Sequence, residues 1–196
     1  MPLTLANKIT ITRIFAIPLF VLVLLYYINI VSKGGFVPAL RWIAFFIFVS
    51  IFLLDALDGY LARKRKEITN LGKLLDPIAD KSLLISALIL LSSANAEKAF
   101  DPYLPVWFVL IAISRDIILI VGALVIQNIA GKVIIQPRIS GKITTFLQGI
   151  SIVWVLLGLW SKPFLWLLFI TAFFTCISAI QYLLDGIKQL EKSKQS

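Results

Sequence analysis

Long apolar stretches separated by short polar connections dominate the sequence. A helix rises about 1.5 Å per residue and the hydrocarbon core of a bilayer is about 30 Å thick, so about 20 apolar residues are needed to cross it. Six stretches approach or exceed this length: residues 11–31, 39–62, 71–94, 104–129, 140–160 and 163–184. Because backbone polar groups inside a bilayer must be paired within the chain, each stretch is predicted to be a helix. The pattern predicts an all-α integral membrane protein with six transmembrane helices, in a single domain over residues 1–196.

The residues before the first stretch mix apolar and polar side chains. Leu5 and Ile9 are interspersed with Asn7, Lys8 and Thr10. Such a mixture is typical of a helix that lies in the membrane interface. We expect a short amphipathic interfacial helix there, with a disordered N-terminus as the alternative.

Composition supports the membrane class and restricts the possible chemistry. The chain is 60% hydrophobic with a mean hydropathy of +0.96, which is too high for a soluble domain of this size. It contains no histidine, which excludes His-based nucleophilic, acid–base and metal-ligand chemistry from this chain. The single cysteine, Cys176, excludes an intrachain disulfide and is expected to be a small buried apolar residue. Catalysis would have to use carboxylates, Lys, Arg or a metal ion.

The distribution of the net charge of +9 predicts the orientation in the membrane. Cations concentrate near the N-terminus, in the second and fourth connections and in the C-terminal tail, whereas the opposite face has only Lys33, Arg41, Lys98 and Lys162. Because cytoplasmic loops carry the excess of Lys and Arg, both termini are predicted to be cytoplasmic. This charge favours contact with anionic membrane lipid, and we expect no binding to nucleic acid.

Four aspartates flank the second connection: Asp55, Asp58, Asp76 and Asp80. A carboxylate at membrane depth costs about 2.5 to 3.5 kcal/mol on insertion scales, so four of them need a compensating partner. Spacings of three and four residues place each pair on one helical face, and the short connection makes the two helices neighbours. Carboxylates without His or Cys favour a site for a hard cation such as Mg²⁺, Mn²⁺ or Ca²⁺.

Small residues and a cation accompany the aspartates. Gly59 and Ala62 follow Asp58, and Gly72 precedes Asp76 by one turn. Small side chains would let a bulky ligand approach the backbone, although close helix packing has the same requirement. Arg63 could pair with a phosphate, although taken alone it is more typical of a charge at the cytoplasmic face.

Together these residues resemble the signature of the CDP-alcohol phosphotransferase family. Asp55-Ala-Leu-Asp58-Gly59-Tyr-Leu-Ala62-Arg63, eight residues, and then Gly72-Lys-Leu-Leu-Asp76-Pro-Ile-Ala-Asp80 match it at all eight fixed positions. A chance match has a probability on the order of 10⁻¹⁰ per start position. In this family an alcohol displaces CMP from a CDP-activated lipid or alcohol.

The resemblance implies a role for each residue of the motif. Asp55, Asp58, Asp76 and Asp80 would bind Mg²⁺ (or Mn²⁺), and Asp80 would also be the general base. Gly59, Ala62, Arg63 and Gly72 would line the CDP pocket. A homodimer is also expected from the family.

Three cations outside the motif could bind a phosphorylated acceptor. Arg115 lies in the middle of the fourth stretch, and Arg138 and Lys142 lie where the fifth begins. An intramembrane arginine should face a cavity or a partner, so the alternative for Arg115 is an ion pair with Asp76, Asp80 or Asp116. Arg138 and Lys142 share one helical face, and their alternative is a role as cytoplasmic-face charges.

The same regions resemble the phosphatidylglycerophosphate synthase branch of the family. Its Asn, Thr and Arg before the first span match Asn7, Thr10 and Arg13, which implies contacts to the cytidine nucleotide. Its Arg-Glu pair appears here as Arg115 followed by Asp116. Its Ser-x-x-Gly-Lys-x-x-Thr-x-x-Gln run is approximated by residues 140–148, with the serine displaced.

The implied reaction joins CDP-diacylglycerol and sn-glycerol 3-phosphate to give phosphatidylglycerophosphate and CMP. The expected location is a bacterial inner membrane, with the active site toward the cytoplasm, and a mitochondrial inner membrane is the alternative. Phosphatidylinositol-phosphate synthase and cardiolipin synthase share the motif and are the nearest alternatives. A divalent-cation transporter is the alternative of another class, but we expect residues 143–180 to offer almost no polar groups for a transport path.

Overall fold

All regular structure in the described part of the chain is helical. The computed structural model describes the backbone of residues 5–65, 70–130 and 139–194, and the side chains of residues 12, 15–54, 81–126, 128 and 139–189. The helices are α1 (Leu5–Ser32), α2 (Pro38–Arg65), α3 (Asn70–Leu91), α4 (Ala94–Ala99), α5 (Val106–Ala130), α6 (Ile139–Leu157) and α7 (Ser161–Lys194). The all-α class is confirmed for these residues.

Four helices are long and apolar enough to cross a membrane. Their apolar segments are Phe15–Ser32, Val106–Ile126, Ile139–Leu157 and Ser161–Gln189. Within the described side chains, α2 and α3 carry shorter apolar segments, Pro38–Leu54 and Lys81–Leu91. The membrane class predicted from hydropathy is therefore confirmed, whereas the count of six spans stays a prediction.

Large apolar side chains are exposed along the helices, as expected of a surface that faces lipid. On α7 an exposed stripe follows the helical period and includes Phe169, Phe173 and Ile180, which are 58%, 64% and 56% exposed. Cys176 lies on the same stripe and is exposed, so the prediction that it is buried was wrong. Its apolar character suits lipid contact as well as a protein core.

The helix contacts divide the chain into two compact units. The first consists of Met1–Leu104 and Ile152–Trp160, and the second of Pro105–Ser151 and Ser161–Ser196. Helix α6 contributes to both, because its last turns belong to the first unit and its earlier turns to the second.

In the first unit, α1 packs against α2, α3 and α4. Phe20 of α1 and Phe48 of α2 are fully buried, with ring centroids 5.6 Å apart. Leu84 and Leu91 of α3 are buried as well. Contacts of this kind between buried aromatic and aliphatic side chains stabilise helix packing through dispersion. Inside a bilayer, where water is absent, the hydrophobic effect does not drive helices together.

Helix α4 was not predicted, because its six residues lie in a short polar connection between two apolar stretches. Ser93 caps its N-terminus by accepting a hydrogen bond from the amide of Ala96 at 3.2 Å. Glu97 lies in its first turn, where a negative charge is favourable. Phe100 follows the helix and packs on Tyr27 of α1, with ring centroids 5.2 Å apart.

Arg41 of α2 caps the C-terminus of α6 within the first unit. Its Nε donates to the carbonyl of Leu156 at 2.7 Å and its Nη2 to that of Val155 at 3.1 Å, both in the last turn of α6. The carbonyl of Val155 also accepts from the amide of Gly158 at 3.0 Å. Gly158 follows at φ +64°, which glycine adopts without strain, and a Cβ there would collide with the guanidinium. The guanidinium also lies 5.3 Å from the ring centroid of Phe100.

In the second unit, α5 packs against α7. Trp107 of α5 stacks on Phe169 of α7, with ring centroids 5.5 Å apart. Near the other end of the pair, a Cβ at Gly186 of α7 would lie 3.2 Å from Cδ1 of Ile126, so the glycine allows close approach. The first turns of α6 join this unit through a hydrogen bond from Oγ of Ser140 to Oε1 of Gln181, at 2.7 Å.

At both ends of the chain, the observed helix boundaries differ from those predicted from the sequence. Helix α1 runs from Leu5 to Ser32 as one element, and the described backbone contains no separate helix before the first apolar segment. The location of its first turns in the membrane interface stays a prediction. Helix α7 continues to Lys194, ten residues beyond the apolar stretch that ends at residue 184, because its Lys, Gln and Glu residues favour helix and no proline interrupts them.

We predict that Arg41→Ala destabilises the protein. It removes two hydrogen bonds from a cation to helix-end carbonyls, which should lower the free energy of unfolding by about 2 to 4 kcal/mol. The measurement is thermal unfolding in detergent, with Lys98→Ala, a change at an exposed residue of α4, as the control. Equal melting temperatures for the two variants would show that the cap contributes nothing to stability.

Candidate active site

The helices carry the motif aspartates as the sequence predicted. Asp55 and Asp58 belong to α2, and Asp76 and Asp80 belong to α3. Four residues, 66–69, separate these helices, and α2 and α3 contact each other. The side chains of all four aspartates lie outside the described residues, so the convergence of their carboxylates stays a prediction.

The other residues predicted to bind CDP lie on the same helices or on α1. Gly59, Ala62 and Arg63 are in the last turns of α2, Gly72 is in the first turn of α3, and Asn7, Thr10 and Arg13 are in the first turns of α1. Because helices joined by short connections usually alternate in direction, we expect these turns to fall at the same end of the first unit. Their side chains, too, lie outside the described residues.

Arg115 of α5 is a buried cation with several partners in the second unit. Its side chain is 6% exposed, and its Nη1 donates to Oδ1 of Asp116 at 2.7 Å. Its Nη2 donates to Oγ of Ser178 at 2.9 Å, and its Cζ lies 5.7 Å from the ring centroid of Tyr182. Nε is buried without a hydrogen-bond partner among the described residues. Of the alternatives left open for Arg115, the ion pair with Asp116 is present.

The structure describes Lys142 but not Arg138. Lys142 is exposed in the first turn of α6, directly after the buried residue Gly141. A Cβ at Gly141 would lie 2.9 Å from Nη2 of Arg115, so Lys142 follows the point where Arg115 approaches α6. Arg138 lies outside the described residues, and its predicted contact with the acceptor stays a prediction.

The second unit contains polar side chains that sequence reasoning overlooked. Six within residues 143–180 are at most 2% exposed: Thr144, Gln148, Ser151, Thr171, Thr175 and Ser178. The expectation that this segment offers almost no polar groups was therefore wrong. Their spacing in the sequence could have revealed these buried polar residues. Thr144, Gln148 and Ser151 follow an i, i+4, i+7 spacing, as do Thr171, Thr175 and Ser178, so each set lies on one helical face.

Most of these hydroxyls are paired within their own helix. Thr144 and Ser151 donate to the carbonyls of Ser140 and Leu147 at 3.0 and 2.9 Å. On α7, Thr171 donates to the carbonyl of Leu167 and Thr175 to that of Thr171, both at 2.7 Å. Such bonds to the preceding turn satisfy a buried hydroxyl. These bonds account for the burial of the four hydroxyls within the second unit.

The donor chemistry of the motif fits a hard divalent cation. Among the described side chains, no group of three or more His, Cys, Asp or Glu could hold a metal ion. The aspartates of α2 and α3 offer only carboxylate oxygens, which are the ligands that Mg²⁺ and Mn²⁺ prefer. The binding of such an ion by the motif stays a prediction.

Comparison with known families decides the class. A sequence model of the CDP-alcohol phosphatidyltransferase family matches residues 3–177. The chain belongs to this family. The match extends from the start of α1 into α7 and includes residues of both compact units. The protein is therefore an enzyme of this class.

Individual relatives align with three quarters or more of the chain. The CDP-diacylglycerol–glycerol-3-phosphate 3-phosphatidyltransferase of Bacillus subtilis is 34% identical over 198 aligned residues, covering 96% of this chain and 98% of its own. The enzyme of the same name from Aquifex aeolicus is 30% identical, covering 95% and 97%. A probable phosphatidylglycerophosphate synthase of Mycobacterium tuberculosis is 34% identical over 149 residues, covering 76% of this chain and 63% of its own.

We predict that Asp116→Ala destabilises this family member strongly. The change leaves the guanidinium of Arg115 buried without its counter-charge, which should cost about 3 to 5 kcal/mol. Replacing both partners, Arg115→Met with Asp116→Leu, should recover most of this loss because no charge remains buried. Thermal unfolding in detergent compares the two variants, and an Asp116→Ala protein as stable as the parent would contradict a stabilising ion pair.

Proposed function

We propose that this enzyme transfers the phosphatidyl group from CDP-diacylglycerol to sn-glycerol 3-phosphate, giving phosphatidylglycerophosphate and CMP in phospholipid biosynthesis. The observation that carries the proposal is 30–34% identity, over more than nine-tenths of the chain, to several relatives named for this reaction. The catalytic motif is complete in this sequence.

The acceptor's hydroxyl oxygen attacks the phosphorus that carries diacylglycerol. A phosphorus–oxygen bond to the acceptor forms, the bond to CMP breaks, and the hydroxyl proton passes to the carboxylate of Asp80. Asp55, Asp58, Asp76 and Asp80 would hold Mg²⁺ (or Mn²⁺). Such an ion offsets the negative charge of the diphosphate and of the departing CMP.

Small residues and cations of the first unit would bind the nucleotide. Gly59, Ala62 and Gly72 leave space for the CDP group to approach the helix backbones, and Arg63 would pair with its phosphates. Asn7, Thr10 and Arg13 would contact the cytidine. Their placement in the terminal turns of α1, α2 and α3 supports a shared pocket, because we expect these turns to fall at one end of the unit.

Three cations would bind the phosphate of the acceptor: Arg115, Arg138 and Lys142. The burial of Arg115 supports this role, because its unpaired Nε is a donor that a phosphate oxygen can satisfy. The exposed amino group of Lys142 supports it as a second cation that a soluble ligand can reach. A phosphate bound by both residues would accept a directional hydrogen bond from Nε of Arg115 and would pair with the flexible ammonium group of Lys142.

We place residues 1–196 in one catalytic domain, which the family match across both units supports. The chain would have six transmembrane helices, with its first turns lying in the membrane interface. The enzyme would be a homodimer in a bacterial inner membrane, with both termini and the active site toward the cytoplasm. The bacterial origin of the relatives and the distribution of Lys and Arg support this location.

Release of CMP from CDP-diacylglycerol by purified enzyme with Mg²⁺ tests the reaction. We expect release with glycerol 3-phosphate and none with inositol 1-phosphate, phosphatidylglycerol or serine. Removing divalent ions with EDTA should stop release, and added Mg²⁺ or Mn²⁺ should restore it. Release with inositol 1-phosphate or phosphatidylglycerol would instead identify a phosphatidylinositol-phosphate synthase or a cardiolipin synthase, and ion transport without CMP would identify a transporter.

We predict that Asp80→Asn abolishes turnover while CDP-diacylglycerol still binds. The amide cannot accept the hydroxyl proton, and loss of a general base lowers a rate by about 10²- to 10⁴-fold. Initial rates of CMP release measure turnover, and binding of radiolabelled CDP-diacylglycerol measures affinity. The control is Glu97→Gln on α4, the same chemical change outside the motif, and normal turnover by Asp80→Asn would remove this residue as the base.

A further inference from the structure

Gly141 of α6 leaves the space in which the guanidinium of Arg115 lies. A Cβ at this position would be 2.9 Å from Nη2 of Arg115 and 3.6 Å from Oγ of Ser178. Real Cβ atoms essentially never approach another heavy atom as closely as the first distance. Any side chain at residue 141 would therefore displace the guanidinium.

Ser178 and Tyr182 of α7 hold the same guanidinium from a second helix. They are four residues apart and so share one helical face. Ser178 is fully buried, and its Oγ accepts the hydrogen bond from Nη2 at 2.9 Å. The Tyr182 ring, 5.7 Å from Cζ, adds a cation–π contact. Together with Asp116 at Nη1, these contacts restrict both the position and the rotation of the guanidinium.

Nε is the one guanidinium nitrogen of Arg115 that has no acceptor among the described residues. Nη1 and Nη2, which carry two N–H groups each, have at least one acceptor each, and the single N–H of Nε is buried. A buried N–H without a partner costs about 1 to 3 kcal/mol, and an oxygen that binds there recovers this cost. The orientation thus reserves Nε for an oxygen ligand.

We propose that Gly141 and Ser178 are positioning residues that hold Arg115 with its Nε available to the phosphate of the acceptor. This inference rests on the proposed function, in which Arg115 binds that phosphate. Neither residue needs to touch a substrate, because each acts through the guanidinium. It also gives a role to the glycine of the Gly-Lys pair in the run over residues 140–148.

The test is a kinetic comparison of Gly141→Ala and Ser178→Ala in mixed micelles. Each change should raise KM for glycerol 3-phosphate about 10-fold, the effect of losing a well-placed hydrogen bond to a charged group. KM for CDP-diacylglycerol should stay within about twofold, because the CDP residues lie on other helices. Gly141→Ala should lower the melting temperature less than Asp116→Ala does, because the counter-charge of the guanidinium stays in place.

Two matched controls separate positioning from general packing. Gly122→Ala makes the same change on α5, where a Cβ would have nothing within 4 Å. Ser151→Ala removes a fully buried hydroxyl that donates to the carbonyl of Leu147 in its own helix. Both controls should leave the two KM values unchanged. Equal shifts in the controls and in the test variants would overturn the proposal.

A double-variant comparison shows whether the effect passes through Arg115. Arg115→Ala alone should raise KM for glycerol 3-phosphate, and adding Gly141→Ala or Ser178→Ala to it should cause no further increase. Further increases of the full size would show that the two residues act by another route and would overturn the proposal.

The outcomes distinguish this inference from the proposed function. A raised KM in Arg115→Ala, with normal values in Gly141→Ala and Ser178→Ala, would overturn only the positioning role. An unchanged KM in Arg115→Ala would overturn both the phosphate contact and the positioning role, while leaving the enzyme class intact. If CMP release required a different acceptor, the proposed reaction would fail, and the same variants measured with that acceptor would decide the positioning role.

Discussion

The constraint on which this structure depends is the cost of a charge inside a membrane, which must be offset by a partner within the protein. Arg115 shows how this is done: its guanidinium is buried and contacts a carboxylate, a hydroxyl and an aromatic ring contributed by α5 and α7. The backbone of α6 approaches the same group at Gly141. Residues of α5, α6 and α7 thus meet around this one charge in the second unit.

The same constraint applies to the aspartates of α2 and α3. A soluble nucleotide headgroup and a lipid anchor have to meet in one site, and an enzyme for such a pair needs charged groups close to the hydrocarbon region. In the proposed mechanism a divalent ion would offset the negative charge of the four carboxylates and of the diphosphate bound beside them. Such an ion would compensate the cost of placing acidic residues near the hydrocarbon region.

Hydrogen bonds to backbone carbonyls satisfy other polar side chains of the two units. The hydroxyls of Thr144, Ser151, Thr171 and Thr175 are paired with carbonyls of their own helices, which lets buried polar residues lie inside the second unit without a partner on another helix. In the first unit, Arg41 donates hydrogen bonds to the carbonyls of Val155 and Leu156 in the last turn of α6. In both cases the protein supplies hydrogen bonds that lipid cannot offer to these backbone or side-chain groups.

The sequence by itself determined the class of the fold and the catalytic motif, because both depend on local spacing. Apolar length predicts a membrane helix, and spacings of three and four residues place Asp55 with Asp58 and Asp76 with Asp80, whatever the rest of the chain does. Only the tertiary structure decided the environment of Arg115, since Ser178 is 63 residues away along the chain and nothing local links the two. It also decided that Cys176 faces outward and that Arg41 caps α6, because both depend on how helices distant in sequence pack.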